Sequence, residues 1–493
     1  MMQEAAMALL PALVIAIASL VLMMQIAFWR NVQVSWVLTC GAILFALMAL
    51  PDNAQLPLQV TPLLIADQYG VFFSILILFG CLITALIARD YLEHRRGENE
   101  EFYLLLLLSG LGGLILVSAT HLASFLLGLE LLGVALYALI AYPERGHLPL
   151  EAATKYLILS GAASAILLFG FALIYAALGS LSFAGIGEKL AVLDLAQDKQ
   201  LLVLIGTGMV FTGIGFKLSL VPFHMWTPDV YQGAPSPVTG FLATVSKGAI
   251  FAALMRLFID AGLYNYAGLM AGLSAIAIAS MLAGNLLALQ QDNLKRLLAY
   301  SSIAHLGYLI ITLVVVASLQ QPQLAIEAAG FYLTAYIVTS LAAFSLLTII
   351  SSDVPDSVLG DDADLDDVDH LRGLFWQRPL LALLLTVALL SLAGIPLTIG
   401  FVGKFYLFAV GIEGSLWWLI GALVVGSGIG IYYYLRVVFI MSSKVDNRNA
   451  TIAPGKLSLI AKLVICALLF IMVYLGVMPQ SVMDYLGSVA LEQ

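Results

Sequence analysis

Residues 206–251 read G-T-G-M-V-F-T-G-I-G-F-K-L-S-L-V-P-F-H-M-W-T-P-D-V-Y-Q-G-A-P-S-P-V-T-G-F-L-A-T-V-S-K-G-A-I-F. Two apolar segments each carry one lysine, Lys217 and Lys247. Between them lies a proline-broken stretch with His224, Trp226 and Asp229. A charged lysine among so many Gly, Val, Leu and Phe residues is expensive, and ionisable groups inside a membrane mark ion or proton paths by default. The plainer explanation is a lysine whose stem lies in the apolar layer while its head reaches the interface. Gly206, Gly208, Gly213, Gly215 and Pro222 point to an interrupted helix of the kind found in transporters.

Composition sets the class. Of 493 residues, 62% are hydrophobic and 10% are charged, where a soluble domain carries about 25% charged residues. The chain therefore reads as an all-α polytopic membrane protein. A basic patch with interleaved aromatics is missing, so no nucleic acid is expected. Cys40, Cys81 and Cys466 stand singly in apolar segments, without metal-ligand spacing, and read as small core residues. The N-terminus starts apolar, without a basic leader, and reads as a retained helix.

A crossing helix needs about 20 apolar residues. On that basis fourteen spans are expected, at 5–28, 33–50, 70–89, 102–119, 121–142, 152–178, 200–221, 237–260, 265–289, 295–317, 325–350, 379–409, 415–440 and 458–478. Segment 379–409 is long and contains Gly394, Pro396, Gly400 and Gly403, which reads as a second broken helix. Lysine and arginine are lopsided: 15 flank the connections after odd-numbered spans and 3 flank the others. Lys217, Lys247 and Lys404 remain inside the spans. The positive-inside rule makes the odd connections cytoplasmic and both termini periplasmic. The connection before span twelve holds eight aspartates between Asp353 and Asp369. It lacks the spacing of a calcium loop and reads as a solvated connection, with a contact to a neighbouring subunit left open.

The intramembrane polar residues form a set. Glu130 lies in F-L-L-G-L-E-L-L-G-V-A-L-Y, His305 in L-A-Y-S-S-I-A-H-L-G-Y, and Lys404 in A-G-I-P-L-T-I-G-F-V-G-K-F-Y-L-F. Each alone reads as a satisfied structural group. Together with Lys217, Lys247 and His224 they are the residue types a proton relay needs. A carboxylate near a buried lysine favours its charged form, so motion of Glu130 relative to Lys217 would switch that lysine. At 1.5 Å per residue, Glu130 lies about 14 Å into span five and Lys217 about 25 Å into span seven. That mismatch predicts a gap wider than one hydrogen bond.

The segment P-F-H-M-W-T-P-D-V-Y-Q-G-A-P-S-P-V-T-G-F-L-A-T-V-S-K resembles the antiporter-like subunits of respiratory complex I, as do Q-D-N-L-K-R-L-L-A-Y-S-S-I-A-H-L-G-Y and S-L-A-G-I-P with G-F-V-G-K-F-Y. The likeness runs from span three to span thirteen. Within the family the chain looks most like the subunit N branch: it lacks the lateral helix of subunit L, and span twelve carries lysine where subunit M has glutamate.

The resemblance implies two inverted five-helix repeats with discontinuous helices 7 and 12. The corresponding divisions are 1–101 for helices 1–3, 102–260 for helices 4–8, 261–440 for helices 9–13 and 441–493 for helix 14. It implies that Glu130 and Lys217 form a paired switch, that Lys247 is a central relay and that Lys404 is the exit lysine and counterpart of Lys217. His224 and His305 would be accessory relay groups.

The implied function is proton translocation, coupled to quinone reduction elsewhere in a bacterial inner-membrane complex. The alternative is a subunit of a multisubunit cation/proton antiporter, and a blander one is a membrane scaffold. No cofactor is expected in this chain; NADH, FMN, iron-sulfur clusters and quinone would belong to partner subunits. Implied neighbours are subunit M on one side and subunits K and J on the other, together with lipids.

Overall fold

The computed structural model describes residues 2–51, 56–93, 99–142, 147–192, 197–352, 364–444 and 457–489. Arg95, Arg96, Arg145, Arg448, Lys456 and the acidic run 353–363 lie outside the described residues.

Apolar length translates directly into helices. They are α1 Met2–Ala8, α2 Leu10–Phe28, α3 Val32–Met48, α4 Gln68–Glu93, α5 Glu100–Val117, α6 Leu122–Ile140 and α7 His147–Leu178. Next come α8 Phe183–Val192, α9 Gln197–Lys217, α10 Trp226–Gly233, α11 Ser236–Phe241, α12 Lys247–Asp260, α13 Ala267–Ala288, α14 Leu294–Leu319 and α15 Pro322–Ser352. The chain continues with α16 Leu374–Gln377, α17 Pro379–Ala393, α18 Ile399–Glu413, α19 Trp417–Ser442, α20 Leu459–Val477 and α21 Gln480–Ser488. Among the described residues, 12 helices are long and apolar enough to cross a membrane. The shorter α3 and α17 complete the fourteen expected spans. The sequence reading did not foresee the small antiparallel hairpin β1 Leu58–Thr61 and β2 Leu64–Ala66, or the short helix α8.

α15 and the run from Ser236 to Asp260 are apolar on every side and enclosed by their neighbours. That is the pattern of a core helix in a large bundle. By contrast α2, α7, α13, α19 and α20 are only about one-third buried and present an apolar outer surface. Small residues set the closest approaches, as in membrane helix pairs generally. A Cβ on Gly170 would stand 2.7 Å from the Gly206 carbonyl, so α7 and α9 touch backbone to backbone there.

The connections sort by parity. β2 pairs with Ala119, His121 pairs with Ser182, and the Phe183 amide donates to the Thr120 carbonyl. These are the connections after spans two, four and six, gathered at one end. At the other end Asn293 pairs with Asp367, Asp229 bridges Lys155 and Arg296, and the Trp376 indole donates to the Ser442 carbonyl. Odd and even connections therefore occupy opposite ends, as fourteen spans require.

Some of the charged groups counted as connection residues are in fact buried. Arg256 is 2% exposed and pairs bidentately with Asp67 at 2.6 and 2.8 Å, with a third bond to the Val117 carbonyl. It ties α12 to α4 and α5 at the even end. Asp364 is 3% exposed and pairs at 2.5 Å with Lys295, which is fully buried. The acidic connection is therefore not solvated throughout, because Asp364 finds a lysine and a helix end that repay its dehydration. Breaking a buried pair from one side leaves an uncompensated charge and costs about 3–5 kcal/mol. Arg256→Ala is expected to cut the amount of folded chain in the membrane several-fold, read by immunoblot of solubilised membranes, whereas an exposed substitution such as Leu127→Ala leaves it unchanged.

Candidate functional site

Both expected helix breaks are present and share a local geometry. α9 ends at Lys217; Ser219 is left-handed at φ 62°, and the Leu220 amide reaches back to the Gly215 carbonyl at 2.8 Å. α17 ends at Ala393; Gly394 is left-handed at φ 84°, and the Ile395 amide reaches the Leu390 carbonyl at 3.0 Å. Each is a helix C-terminus closed by a left-handed residue and a long backward bond. Glycine makes this easy at 394, while Ser219 holds it against its own Cβ.

The two break lysines are not equivalent positions. Lys217 is the last residue before its break, whereas Lys404 lies on α18, after the second break. Lys404 Nζ returns to donate to the Leu392 and Ala393 carbonyls at 2.8 and 2.9 Å. Counted back from the left-handed residue, Leu392 stands where Lys217 stands. The expectation of direct counterparts is therefore corrected: the two ammonium groups reach their breaks from opposite flanks. The end of α17 presents carbonyls without an intrahelical amide partner, together with the negative pole of a helix, which suits a cation.

Lys217 is 4% exposed, and its Nζ donates to Ser160 Oγ on α7 at 2.6 Å. Ser160 in turn shares a hydrogen bond with the Tyr137 hydroxyl at 2.7 Å. Glu130 accepts from Ser164 Oγ at 2.5 Å. Ser160 and Ser164 are one turn apart on α7, so two hydroxyls on one face stand between the acid and the lysine. No ion pair joins Glu130 to Lys217 among the described residues. A Cβ on Gly133, one turn beyond Glu130, would lie 3.5 Å from Lys217 Nζ. The depth mismatch narrows without closing, because the long lysine side chain leans over the turn preceding its own Cα. The lysine head is therefore shallower than its backbone.

Lys247 is fully buried and donates to Ser302 Oγ at 2.8 Å. Ser302 is hydrogen-bonded to the Tyr336 hydroxyl at 2.6 Å, and the Tyr231 ring lies 5.3 Å from Lys247 Nζ. A π-helical turn, Leu242–Ser246, immediately precedes Lys247. Such bulges are frequent at functional sites, and no residue in the sequence announces this one.

His305 Nδ1 contacts the Tyr332 hydroxyl at 2.6 Å, and Nε2 contacts that of Tyr434 at 3.4 Å. Tyr434 is hydrogen-bonded to Ser301. A small cavity of about 10 Å³ is lined by His305, Tyr336, Thr339, Ser391 and Lys404, among others. One water needs about that much room and several polar partners. The cavity brings Lys404, His305 and the Tyr336 end of the Lys247 chain to one place. His224, 8% exposed in the first break, is not joined to these chains; its Nδ1 has no hydrogen-bond partner among the described residues.

The linking hydroxyls of Ser160, Ser164, Tyr137, Ser302, Tyr336 and Tyr332 were not singled out from sequence. The available signal was weak: serine or tyrosine in an apolar span, with Ser160 and Ser164 at helical spacing. Hydroxyls both donate and accept, which is what passing a proton between lysines demands.

Comparison with known proteins agrees with this architecture. The family described as NADH:quinone oxidoreductase/Mrp antiporter, TM matches residues 119–430. A protein of Methylococcus capsulatus named NADH-quinone oxidoreductase subunit N is 48% identical over 99% of this chain and 96% of its own length. One of the same name from Ectopseudomonas mendocina is 47% identical over 98% and 96%. A chain of respiratory complex I from Thermus thermophilus with bound aureothin superposes with TM-score 0.81 at 33% identity, covering 97% of this chain and 100% of that one. The Mrp complex of Dietzia contributes a chain with the same fold, at TM-score 0.82 and 19% identity over 99% of this chain and 97% of its own. With the broken helices, the buried lysines and these relatives in hand, the chain belongs to the NADH:quinone oxidoreductase/Mrp antiporter family of membrane subunits, within its subunit N group.

Proposed function

We propose that this chain is a proton-translocating membrane subunit of an NADH:quinone oxidoreductase. Glu130 and Lys217 act as a paired switch, Lys247 as the central relay, Lys404 as the exit group, and His224 and His305 as accessory groups. The observation that carries this reading is the series of buried lysines, each hydrogen-bonded to a hydroxyl or carbonyl of another segment. A scaffold would not need three buried ammonium groups that meet no opposing carboxylate among the described residues.

In this reading helices 4–8, over 102–260, and helices 9–13, over 261–440, act as inverted halves, preceded by 1–101 and followed by 441–493. NADH, FMN, iron-sulfur clusters and quinone are handled by partner subunits. Subunit M lies on one side and subunits K and J on the other, in a bacterial inner membrane. Reconstituted complex supplies the test. NADH-driven acidification that is lost with Lys247→Met, and that needs no sodium, supports this function. Sodium-dependent proton exchange without NADH would favour the antiporter alternative.

The same reading places the odd end in the cytoplasm and both termini in the periplasm. In a Cys466→Ser background, a cysteine replacing Leu63 at the even end is expected to react with an impermeant maleimide in intact cells. One replacing Asp369 is expected to react only after permeabilisation. The reverse pattern would invert the topology.

A further inference from the structure

We propose that the buried pair Lys295–Asp364 is a latch that fixes the broken-helix half α10 against the Lys247 segment, making both of them positioning residues for the relay. The inference rests on the relay reading of Lys247. Lys295 Nζ donates to the Gln232 and Ala234 carbonyls at 3.3 and 2.8 Å, at the C-terminal end of α10. Asp364 Oδ2 accepts from the Ser236 amide at 2.8 Å and from its hydroxyl at 2.7 Å, at the start of α11. The two carry opposite charges and join each other at 2.5 Å. A cation thus holds a helix C-terminus and an anion holds the adjoining N-terminus, the arrangement that helix dipoles favour. Between them lies only the short link Ala234–Pro235.

That link decides the surroundings of Lys247. α10 carries Tyr231, whose ring lies 5.3 Å from Lys247 Nζ. The segment from Ser236 carries the π turn, and there the Ala243 carbonyl accepts from Tyr336, the partner of Ser302. Thr239 Oγ1 bonds back to the Tyr231 and Ala234 carbonyls. Any shift of α10 relative to this segment must therefore pull Lys295 off its carbonyls, and it moves Tyr231 away from the lysine. Asp364 comes from the connection between spans eleven and twelve, so the latch also ties the second half of the bundle to the first break.

The test uses the whole complex in proteoliposomes, measuring assembly, NADH oxidation and protons moved per NADH. Removing both charges of a buried pair at similar volume is tolerated far better than removing one, so the deciding variant is Asp364→Asn with Lys295→Met. We expect it to assemble and oxidise NADH, with fewer protons per NADH and faster backbone hydrogen exchange over 234–246. Asp364→Glu, which keeps the charge, should restore most of the ratio relative to Asp364→Asn. A double variant with the wild-type ratio, beside a Lys247→Met variant with a lowered one, overturns the latch and leaves the relay standing. A wild-type ratio in Lys247→Met removes the relay reading itself, and the latch with it. If the double variant fails to assemble, Ser236→Ala decides, since it deletes one bond to Asp364 and keeps both charges. A lowered ratio there supports the latch, and an unchanged one overturns it.

Discussion

Lys217→Arg is expected to give an assembled complex that no longer pumps. The site suits one small ammonium: Nζ lies 2.6 Å from Ser160 Oγ, and a Cβ at Gly133 would stand 3.5 Å away. Guanidinium keeps positive charge but does not release its proton within the accessible pH range, and it needs five acceptors in a plane. Helix packing that depends only on charge would survive the exchange, whereas a relay would not. Proton transfer by a positioned group contributes about 10²–10⁴-fold where it has been measured. A fall in NADH-driven pumping of at least about tenfold is therefore the expected size, allowing for leakage around a blocked step. The measurement is acidification of inside-out vesicles with the assembled complex quantified in parallel. Wild-type pumping by a fully assembled variant would end the relay role of Lys217.

Glu130→Gln carries the second large effect, and its logic differs. The substitution keeps the side-chain shape and removes the only carboxylate charge in the middle of α6. Glu130 is held by Ser164, and Lys217 by Ser160 one turn away on the same helix, so the influence of the acid is electrostatic across that gap rather than through a salt bridge. Without that charge, motion of this side chain no longer acts on Lys217. Pumping should fall several-fold, read as acidification of inside-out vesicles. Because no ion pair is broken, assembly should be spared. Ser160→Ala is the companion: it leaves both charges and removes the hydroxyl, and it should lower pumping as well. A Glu130→Gln variant with an unchanged pumping rate would count against the pair.

These expectations rest on features that differ in how far the sequence alone reveals them. Fourteen spans were readable because about 20 apolar residues are a length, and length is a one-dimensional property. Both breaks were readable because Pro222, Gly394 and Pro396 interrupt apolar runs. Odd and even connections gather at opposite ends as the span count requires, and the lopsided lysine and arginine count is what assigns the odd end to the cytoplasm as an expectation. The charged candidates were visible because Lys, Glu and His stand out where almost nothing else is ionisable.

What the sequence could not supply is which of these groups meet. Serine and tyrosine are ordinary in membrane helices, so Ser160, Ser302 and Tyr336 became linkers only when helix rotation and crossing brought them to the lysines. The family resemblance made Lys217 and Lys404 counterparts, yet they stand on opposite flanks of their breaks. A long side chain can reach a break from either side, and only backbone geometry decides which. Asp364 looked like one aspartate among eight in a solvated run; its burial depends on Lys295 and Ser236, 69 and 128 residues away in the chain. Apolar length and charge placement are local and therefore written in order along the chain. Partners for buried charges come from wherever packing brings a donor or an acceptor, so the tertiary structure alone determines them.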